Sequence, residues 1–332
     1  MKTKINSGHY QFLGTDKKDD GEKYFSPEYF EYRKKWSCNP KKEIVGEFPL
    51  HLDIESTNAC NLKCPMCGRN WMKEKIGYLD WQLFKKIIDQ GAKYHLPSVK
   101  LNYRGEPLLH SELAKMVRYA KEKGILEVQF NTNGLLLDGK KAEELIEAGI
   151  DRIIFSFDAA SKETYEKIRK GSNYEKVVAN IKNLVKRRDE KGLKRPLIRV
   201  QMVKMKENEK EVEDFVRFWI PIANRVAVST KRDIGGGNQK KIEHFICPQI
   251  WQRLMICWDG AVRMCCGDWQ GEINLGNIKE KSIYEIWHSE KLERIRKIHS
   301  EGNFDKMPVC ASCEVNTPRF DDQLQNMAEK FN

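Results

Sequence analysis

Between residues 48 and 230, short apolar runs alternate with longer stretches whose apolar residues recur at helical spacing. Leu50–Ile54 reads as a strand, and Trp81–Lys93 places Leu83, Ile87 and Ile88 on one helical face. The alternation then repeats. Ser98–Tyr103 is a strand and Ser111–Lys123 a helix stopped by Gly124. Leu126–Asn131 is a strand and Lys140–Ala148 a helix stopped by Gly149. Arg152–Phe157 is a strand followed by helices at Glu163–Ile168 and Tyr174–Arg188. Pro196–Val203, a helix at Glu209–Trp219 and Arg225–Ser229 complete the series. Strands separated by helices pair in parallel through right-handed crossovers. Six such units fall short of the eight that close a full barrel. The expected fold is therefore α/β, a partial (β/α)6 TIM-like barrel with one open side.

The pattern changes after the glycine-rich stretch Ile234–Gly237. Leu254–Trp258 and Ala261–Cys265 flank Asp259-Gly260 and predict a hairpin with a two-residue turn. That register sets Cys257 opposite Val262, and places Cys257 and Cys266 together on the face opposite Cys265. Ser282–Ser300 reads as one amphipathic helix. The expected organisation is an N-terminal extension at 1–46 that packs on or flaps over the barrel, a core at 47–235, a small hairpin-plus-helix domain at 236–320, and a polar tail at 321–332.

A chain of 332 residues suits one α/β domain with a smaller appendage. The net charge of +11 raises the question of nucleic acid. Lys and Glu interleave along 161–191, and no arginine-rich or aromatic-interleaved basic stripe stands out, so the charge reads as a solvated surface. No apolar run approaches membrane-spanning length, and residues 1–20 lack the apolar core of a signal peptide. These features point to the cytoplasm. There the ten cysteines are expected to be metal ligands, catalytic thiols or small core residues rather than disulfides.

Cys60, Cys64 and Cys67 follow the first strand, on the end of an α/β barrel where active sites form. Three thiolates at this spacing can hold three irons of a cubane and leave the fourth open. Asn58–Met66 resembles the signature of the radical S-adenosylmethionine (SAM) enzymes, and the resemblance runs through residues 50–230. Tyr103-Arg104-Gly105-Glu106-Pro107 is similar to the family's Gly-Gly-Glu-Pro segment, with Arg104 in place of the first Gly. The resemblance implies that Gly105 and Glu106 bind the SAM amino group, and that Arg104 points away from SAM or meets substrate. Asn131-Thr132-Asn133-Gly134 resembles the family's Thr-Asn-Gly turn. By the same resemblance Asn131 and Ser156 lie near SAM, Arg169 pairs with its carboxylate, and Met66 and Val200–Met202 flank the adenine.

Cys247, Cys265, Cys310 and Cys313, together with Leu275-Gly276-Asn277-Ile278 and Ile286-Trp287, resemble the C-terminal SPASM/Twitch extension of the same enzymes. No cysteine follows Cys313, which matches the shorter Twitch form with one auxiliary [4Fe–4S] cluster; a four-thiolate zinc site is the alternative. The resemblance implies two clusters, SAM, and an electron donor such as flavodoxin or ferredoxin. It leads to a radical enzyme that dehydrogenates a sugar or aminocyclitol, the auxiliary cluster taking the electron. Epimerisation is an alternative, with Cys266 or Cys257 as hydrogen-atom donor. So is a peptide substrate, although residues 1–46 do not read as a leader-binding module. A non-catalytic two-cluster electron carrier is a fourth reading, and it leaves the open iron without a purpose. Asp268 and Asp158 are candidate acids or bases.

Overall fold

The computed structural model describes residues 11–12, 22–231, 242, 245–313 and 315. The Ile234–Gly237 stretch and the 321–332 tail lie outside them. In chain order the first part holds β1 (Gln11–Phe12), α1 (Pro27–Lys42), β2 (His51–Ile54), α2 (Trp81–Lys93), β3 (Ser98–Lys100), α3 (Leu113–Glu122) and β4 (Glu127–Thr132). It continues through α4 (Gly139–Glu147), β5 (Arg152–Ser156), α5 (Lys162–Ile168), α6 (Tyr174–Glu190), β6 (Leu197–Lys204), α7 (Val212–Trp219) and β7 (Arg225–Thr230). Strands β2 to β7 pair in parallel in chain order, the arrangement expected of a partial barrel. Each helix buries one stripe against the sheet; α2 does so with Leu83, Phe84, Ile87 and Ile88. Side chains that accept backbone N–H groups start the helices: Asp80 for α2, Asp138 for α4, Ser161 for α5 and Asn173 for α6.

Helix α1 settles where the N-terminal extension goes. Its buried Tyr29 and Tyr32 pack with Phe25, Leu50 and Leu197, the last two at the starts of β2 and β6. Arg152, at the start of β5, meets Glu127 at 3.1 Å and Glu22 at 3.2 Å. The segment 22–42 therefore closes the end of the barrel opposite the cysteine loop, while β1 pairs antiparallel with β7 at the sheet edge.

The second part comprises β8 (Arg253–Ile256), β9 (Ala261–Arg263), β10 (Asn274–Asn277), α8 (Ile283–Trp287), α9 (Glu290–Ser300) and α10 (Pro308–Ala311). Its strands continue the barrel sheet: β8 pairs with β2 in parallel, β9 and β10 follow antiparallel, and ten strands form one sheet. Two expectations change here. Met255 opposes Arg263 and Ile256 opposes Val262, so the hairpin loop has three residues, Trp258-Asp259-Gly260, and Cys257 faces Ala261. Gly260, at φ +92°, takes the left-handed position that ends such a loop. The 282–300 segment is two helices, because Ser289 accepts the Leu292 N–H and starts α9 afresh. No helix among the described residues is long and apolar enough to cross a membrane.

Asp53 on β2 sits at the seam between the two parts. It is fully buried, with Lys100 of β3 on one side and Arg253 of β8 on the other at 3.3 Å. Burial opposes its ionisation, but these two cations outweigh burial and hold its carboxyl well below the usual range. Replacing Asp53 by Ala leaves two half-buried cations without their shared, fully buried partner. We expect the variant to lose about 3 kcal/mol in urea unfolding of the anaerobically prepared protein; a loss below about 1 kcal/mol would show that the seam does not depend on this charge.

Candidate active site

The loop after β2 carries Cys60, Cys64 and Cys67, and its conformation is fixed by its own polar side chains. Thr57 Oγ1 donates to the Gly77 carbonyl at 2.7 Å, and Asn58 holds Lys75 O and Gly77 N at 2.8 and 2.9 Å. Arg69 Nε donates to the Asn58 carbonyl at 2.7 Å, and Asn70 Nδ2 to the Cys64 carbonyl at 3.0 Å. The three thiols face a cavity of about 250 Å³ at the C-terminal ends of the strands. Burial pushes the Cys60 and Cys64 thiols up; at Cys64 the Arg169 guanidinium, 4.0 Å from the sulfur, works against that.

Gly105 and Glu106 form the next wall. Gly105 has φ +58°, and a Cβ there would stand 2.2 Å from the Thr57 carbonyl and 2.7 Å from that of Ala59. The Glu106 N–H donates to the Ala59 carbonyl at 2.7 Å. The buried Glu106 carboxylate accepts from Thr132 Oγ1 at 2.7 Å, Asn133 N at 2.8 Å and Leu108 N at 3.1 Å. Burial raises its pKa and these hydrogen bonds oppose the rise. The loops after β2, β3 and β4 are thereby locked to one another around the cavity.

Met66, Gly105, Glu106, Asn131, Ser156 and Arg169 all line this cavity with the three cysteines. Met202 does not. It is fully buried in the core with Val200, because on β6 the alternate residues Arg199 and Gln201 face inward. Gln201 Nε2 reaches Ser156 Oγ at 3.4 Å. Two buried polar atoms on the cavity wall, Asn131 Oδ1 and Arg169 Nε, have no partner within the protein. Arg169 is held by Asp158, 2.5 Å from its Nη2, so Asp158 is committed to an ion pair. Three thiols beside unsatisfied donors and acceptors suit an iron–sulfur cluster and a polar ligand that carries both amine and carboxylate.

The other cysteines gather on the far side of Tyr103. Burial raises the Cys247, Cys265 and Cys310 thiols, and neighbouring sulfurs raise them further: Cys313, Cys310 and Cys266 for Cys247; Cys266, Cys247 and Cys313 for Cys265; Cys265 and Cys313 for Cys310. The four thiols are near enough to feel one another's charge, although no three His, Cys, Asp or Glu side chains among the described residues are already arranged to hold a metal ion; four thiolates brought together can close a cubane. Cys266 stands among them rather than facing away, because β9 ends at Arg263 and strand alternation stops there. Its Sγ lies 3.7 Å from the Gln249 side-chain amide. No motif singles out His299, a buried imidazole whose Nε2 is 3.5 Å from Cys310 Sγ and whose Nδ1 is 3.5 Å from the Cys247 N–H. Burial lowers its pKa to about 4, so it is neutral at physiological pH.

Cys257 lies elsewhere, packed between Arg263 Nε at 3.1 Å and Arg104 Nη2 at 3.7 Å. The three-residue hairpin loop puts it on the same face as Arg263, not with Cys266. Neither Cys257 nor Cys266 lines the cavity. Asp268 is also occupied structurally: its carboxylate accepts the Glu272 and Ile273 N–H groups at 2.8 and 3.0 Å. The following Trp269 packs onto Gly68 so closely that a Cβ on that glycine would be 2.7 Å from the indole. Trp269 lines both the main cavity and a neighbouring one of about 290 Å³ bounded by Trp71, Met72, Gln270 and Ser312.

The model of the radical SAM superfamily matches residues 54–218, and that of SPASM, an iron–sulfur cluster-binding domain, matches residues 247–314. The chain belongs to the radical SAM superfamily. It is an enzyme with a SPASM domain, and its cofactors are SAM and [4Fe–4S] clusters. A tungsten-containing aldehyde ferredoxin oxidoreductase cofactor-modifying protein of Pyrococcus furiosus is 29% identical over 320 residues, spanning 80% of this chain and 87% of that one. A probable GTP 3′,8-cyclase of Methanocaldococcus jannaschii is 29% identical over 178 residues, spanning 53% of this chain and 57% of that one. The crystal structure of BtrN in complex with AdoMet and 2-DOIA shares the fold, with TM-score 0.56 and 20% identity over 82% of this chain and 94% of that one. So does Streptococcus suis SuiB bound to S-adenosylmethionine, with TM-score 0.63 and 17% identity over 82% of this chain and 73% of that one.

The close approach at Gly105 gives a direct test. In Gly105→Ala the new methyl must push the Thr57 and Ala59 carbonyls apart, which moves the cysteine loop. We expect SAM affinity, measured by equilibrium dialysis on the anaerobic protein, to fall by at least about tenfold, equivalent to about 1.4 kcal/mol. Unchanged affinity would mean that the loop contact does not shape the site.

Proposed function

We propose that Cys60, Cys64 and Cys67 hold the SAM-binding [4Fe–4S] cluster and that Cys247, Cys265, Cys310 and Cys313 hold an auxiliary one. The reaction is the dehydrogenation of a small molecule of the sugar or aminocyclitol type. When bound, the reduced first cluster and SAM supply a 5′-deoxyadenosyl radical that removes a hydrogen atom from carbon. Glu106, Asn131 and Arg169 orient SAM through groups already fixed by the protein, and Trp269 excludes water from the side nearest the auxiliary cysteines. Cys247, Cys265, Cys310 and Cys313 would hold an auxiliary cluster, which would accept the electron that the substrate radical gives up together with a proton. A flavodoxin or ferredoxin supplies the electron that starts the cycle.

The observation that carries this reading is the proximity of Cys265 and Cys310, both buried, to the half-buried Cys247 and Cys313 beside Tyr103, which lines the cavity and donates its hydroxyl to the Asp268 carbonyl at 3.2 Å. The position of Cys257 and Cys266 weighs against epimerisation, since neither thiol lines the cavity. The Pyrococcus furiosus relative, similar along most of its length, is a cofactor-modifying protein, which favours a small molecule over a peptide.

The test is SAM cleavage by the anaerobically reconstituted, dithionite-reduced protein. We expect 5′-deoxyadenosine from the wild type and from Cys313→Ala, and only background from Cys64→Ala. Cleavage by Cys64→Ala at wild-type rate would overturn the assignment of the first site. Loss of cleavage in a folded Cys313→Ala that retains the first cluster would overturn the separation of the two sites.

A further inference from the structure

Arg104 stands where the resembled family has glycine, and its buried side chain is engaged by carboxylates. Glu55, also fully buried, grips it in two places, Nε at 2.6 Å and Nη2 at 2.9 Å. Its remaining nitrogen, Nη1, meets Glu74 Oε2 at 2.7 Å. Arg263 arrives from β9 at the same place. Its Nη2 pairs with Glu74 Oε1, and its Nη1 donates to the Asp268 and Trp269 carbonyls at 3.0 and 3.1 Å. Arg104 Nη1 also points at the Trp269 carbonyl, at 3.4 Å. Two guanidiniums from different parts of the chain thus converge on one carbonyl and on the two oxygens of one carboxylate.

The charges around this point are uneven without Glu74. Arg104 and Arg263 repel one another, and Glu55 alone leaves the pair with one positive charge in excess. Glu74 supplies the missing negative charge, yet it is the only one of the four groups with substantial exposure, its side chain being 33% open to solvent. Rotation of that side chain alone would uncover both guanidiniums. Arg104 and Trp269 line the cavity that holds Cys60, Cys64 and Cys67, and Glu74 and Arg263 stand directly behind them, Glu74 against Arg104 and Arg263 against the Trp269 carbonyl.

We infer that Arg104 and Arg263 form an oxyanion site in which Glu74 is a placeholder, and that the substrate presents a carboxylate or phosphate group that displaces it. Paired guanidiniums recognise either anion through parallel N–H···O contacts. The inference rests on the reading of the cavity as the place of radical chemistry, and it narrows the substrate to an anionic small molecule. Anchoring that group fixes the distance between the substrate carbon and SAM, which is what selectivity requires of a reaction started by an unselective radical.

The test uses the anaerobic holoprotein and calorimetric titration with inorganic phosphate and, separately, succinate at low ionic strength. Glu74→Ala and Glu74→Gln, which keeps the volume and removes the charge, are each expected to bind one of the two at least about tenfold more tightly than the wild type. Adding Arg263→Gln to either is expected to abolish the gain. A preference for phosphate or for succinate assigns the substrate's group. If both Glu74 variants keep their cluster absorbance and bind neither anion better than the wild type, Glu74 is a fixed ion-pair partner and the site does not exist. Failure of both variants to fold likewise makes Glu74 a fixed structural partner and overturns the site. Wild-type SAM cleavage is scored apart: its absence removes the functional reading, whereas an anion result with cleavage intact bears on this site alone.

Discussion

The site depends on one close approach. The backbone at Gly105 comes so near the cysteine loop that a single methyl would sit inside the Thr57 carbonyl, and Glu106, the next residue, binds both that loop and the turn after β4. Three loops from three adjacent strands are therefore one rigid body at the cavity wall. The thiols of Cys60, Cys64 and Cys67 gain their placement from this contact, as do Asn131 and Arg169 with their unused polar atoms. A ligand that binds there finds its partners already ordered and does not bear the cost of arranging them.

The same logic explains how the appendage is attached. The electron transfer we propose needs the cluster domain held at a fixed distance from the cavity, which a flexible linker would not give. Here β8 is a strand of the barrel sheet, Asp53 ties it across β2 to β3, and the Glu55 N–H donates to the Ile256 carbonyl at 2.8 Å. Buried charges are costly, and they persist at this seam with every member paired. By sequence pattern the C-terminal cysteines read as a separate small domain, and the SPASM match agrees; what the pattern does not show is that its first strand pairs with β2 of the core.

What was legible in the sequence followed the strength of each local signal. The strand–helix alternation specifies the barrel because most of its helices carry a capping residue and one apolar stripe, and α2 has the bounds that its pattern predicts. The residues at successive strand ends were legible because short motifs fix them. Of the Val200–Met202 segment expected to flank the adenine, Val200 and Met202 lie in the core: on a strand buried on both faces, apolar character does not say which residues face inward. The hairpin misled for a different reason. Asp259-Gly260 suits both a two-residue and a three-residue loop, and the choice decides whether Cys257 keeps company with Cys266 or with Arg263. Glu55, Glu74, Arg263 and His299 were invisible, since each matters through a partner far away in the chain. The one hint was Arg104, a large charged residue at a motif position that resembles glycine.

The assignment we propose for the two cysteine sets requires that one chain hold two iron–sulfur clusters, one open to SAM and one closed by four thiolates. The most direct measurement is the iron, sulfide and zinc content of the anaerobically purified wild type, with Mössbauer spectra to identify the cluster type. About eight irons and eight sulfides per chain, all in [4Fe–4S] form, is the predicted result. About four irons with one zinc would contradict it, because the second cysteine set would then be a structural metal site with no electron to accept.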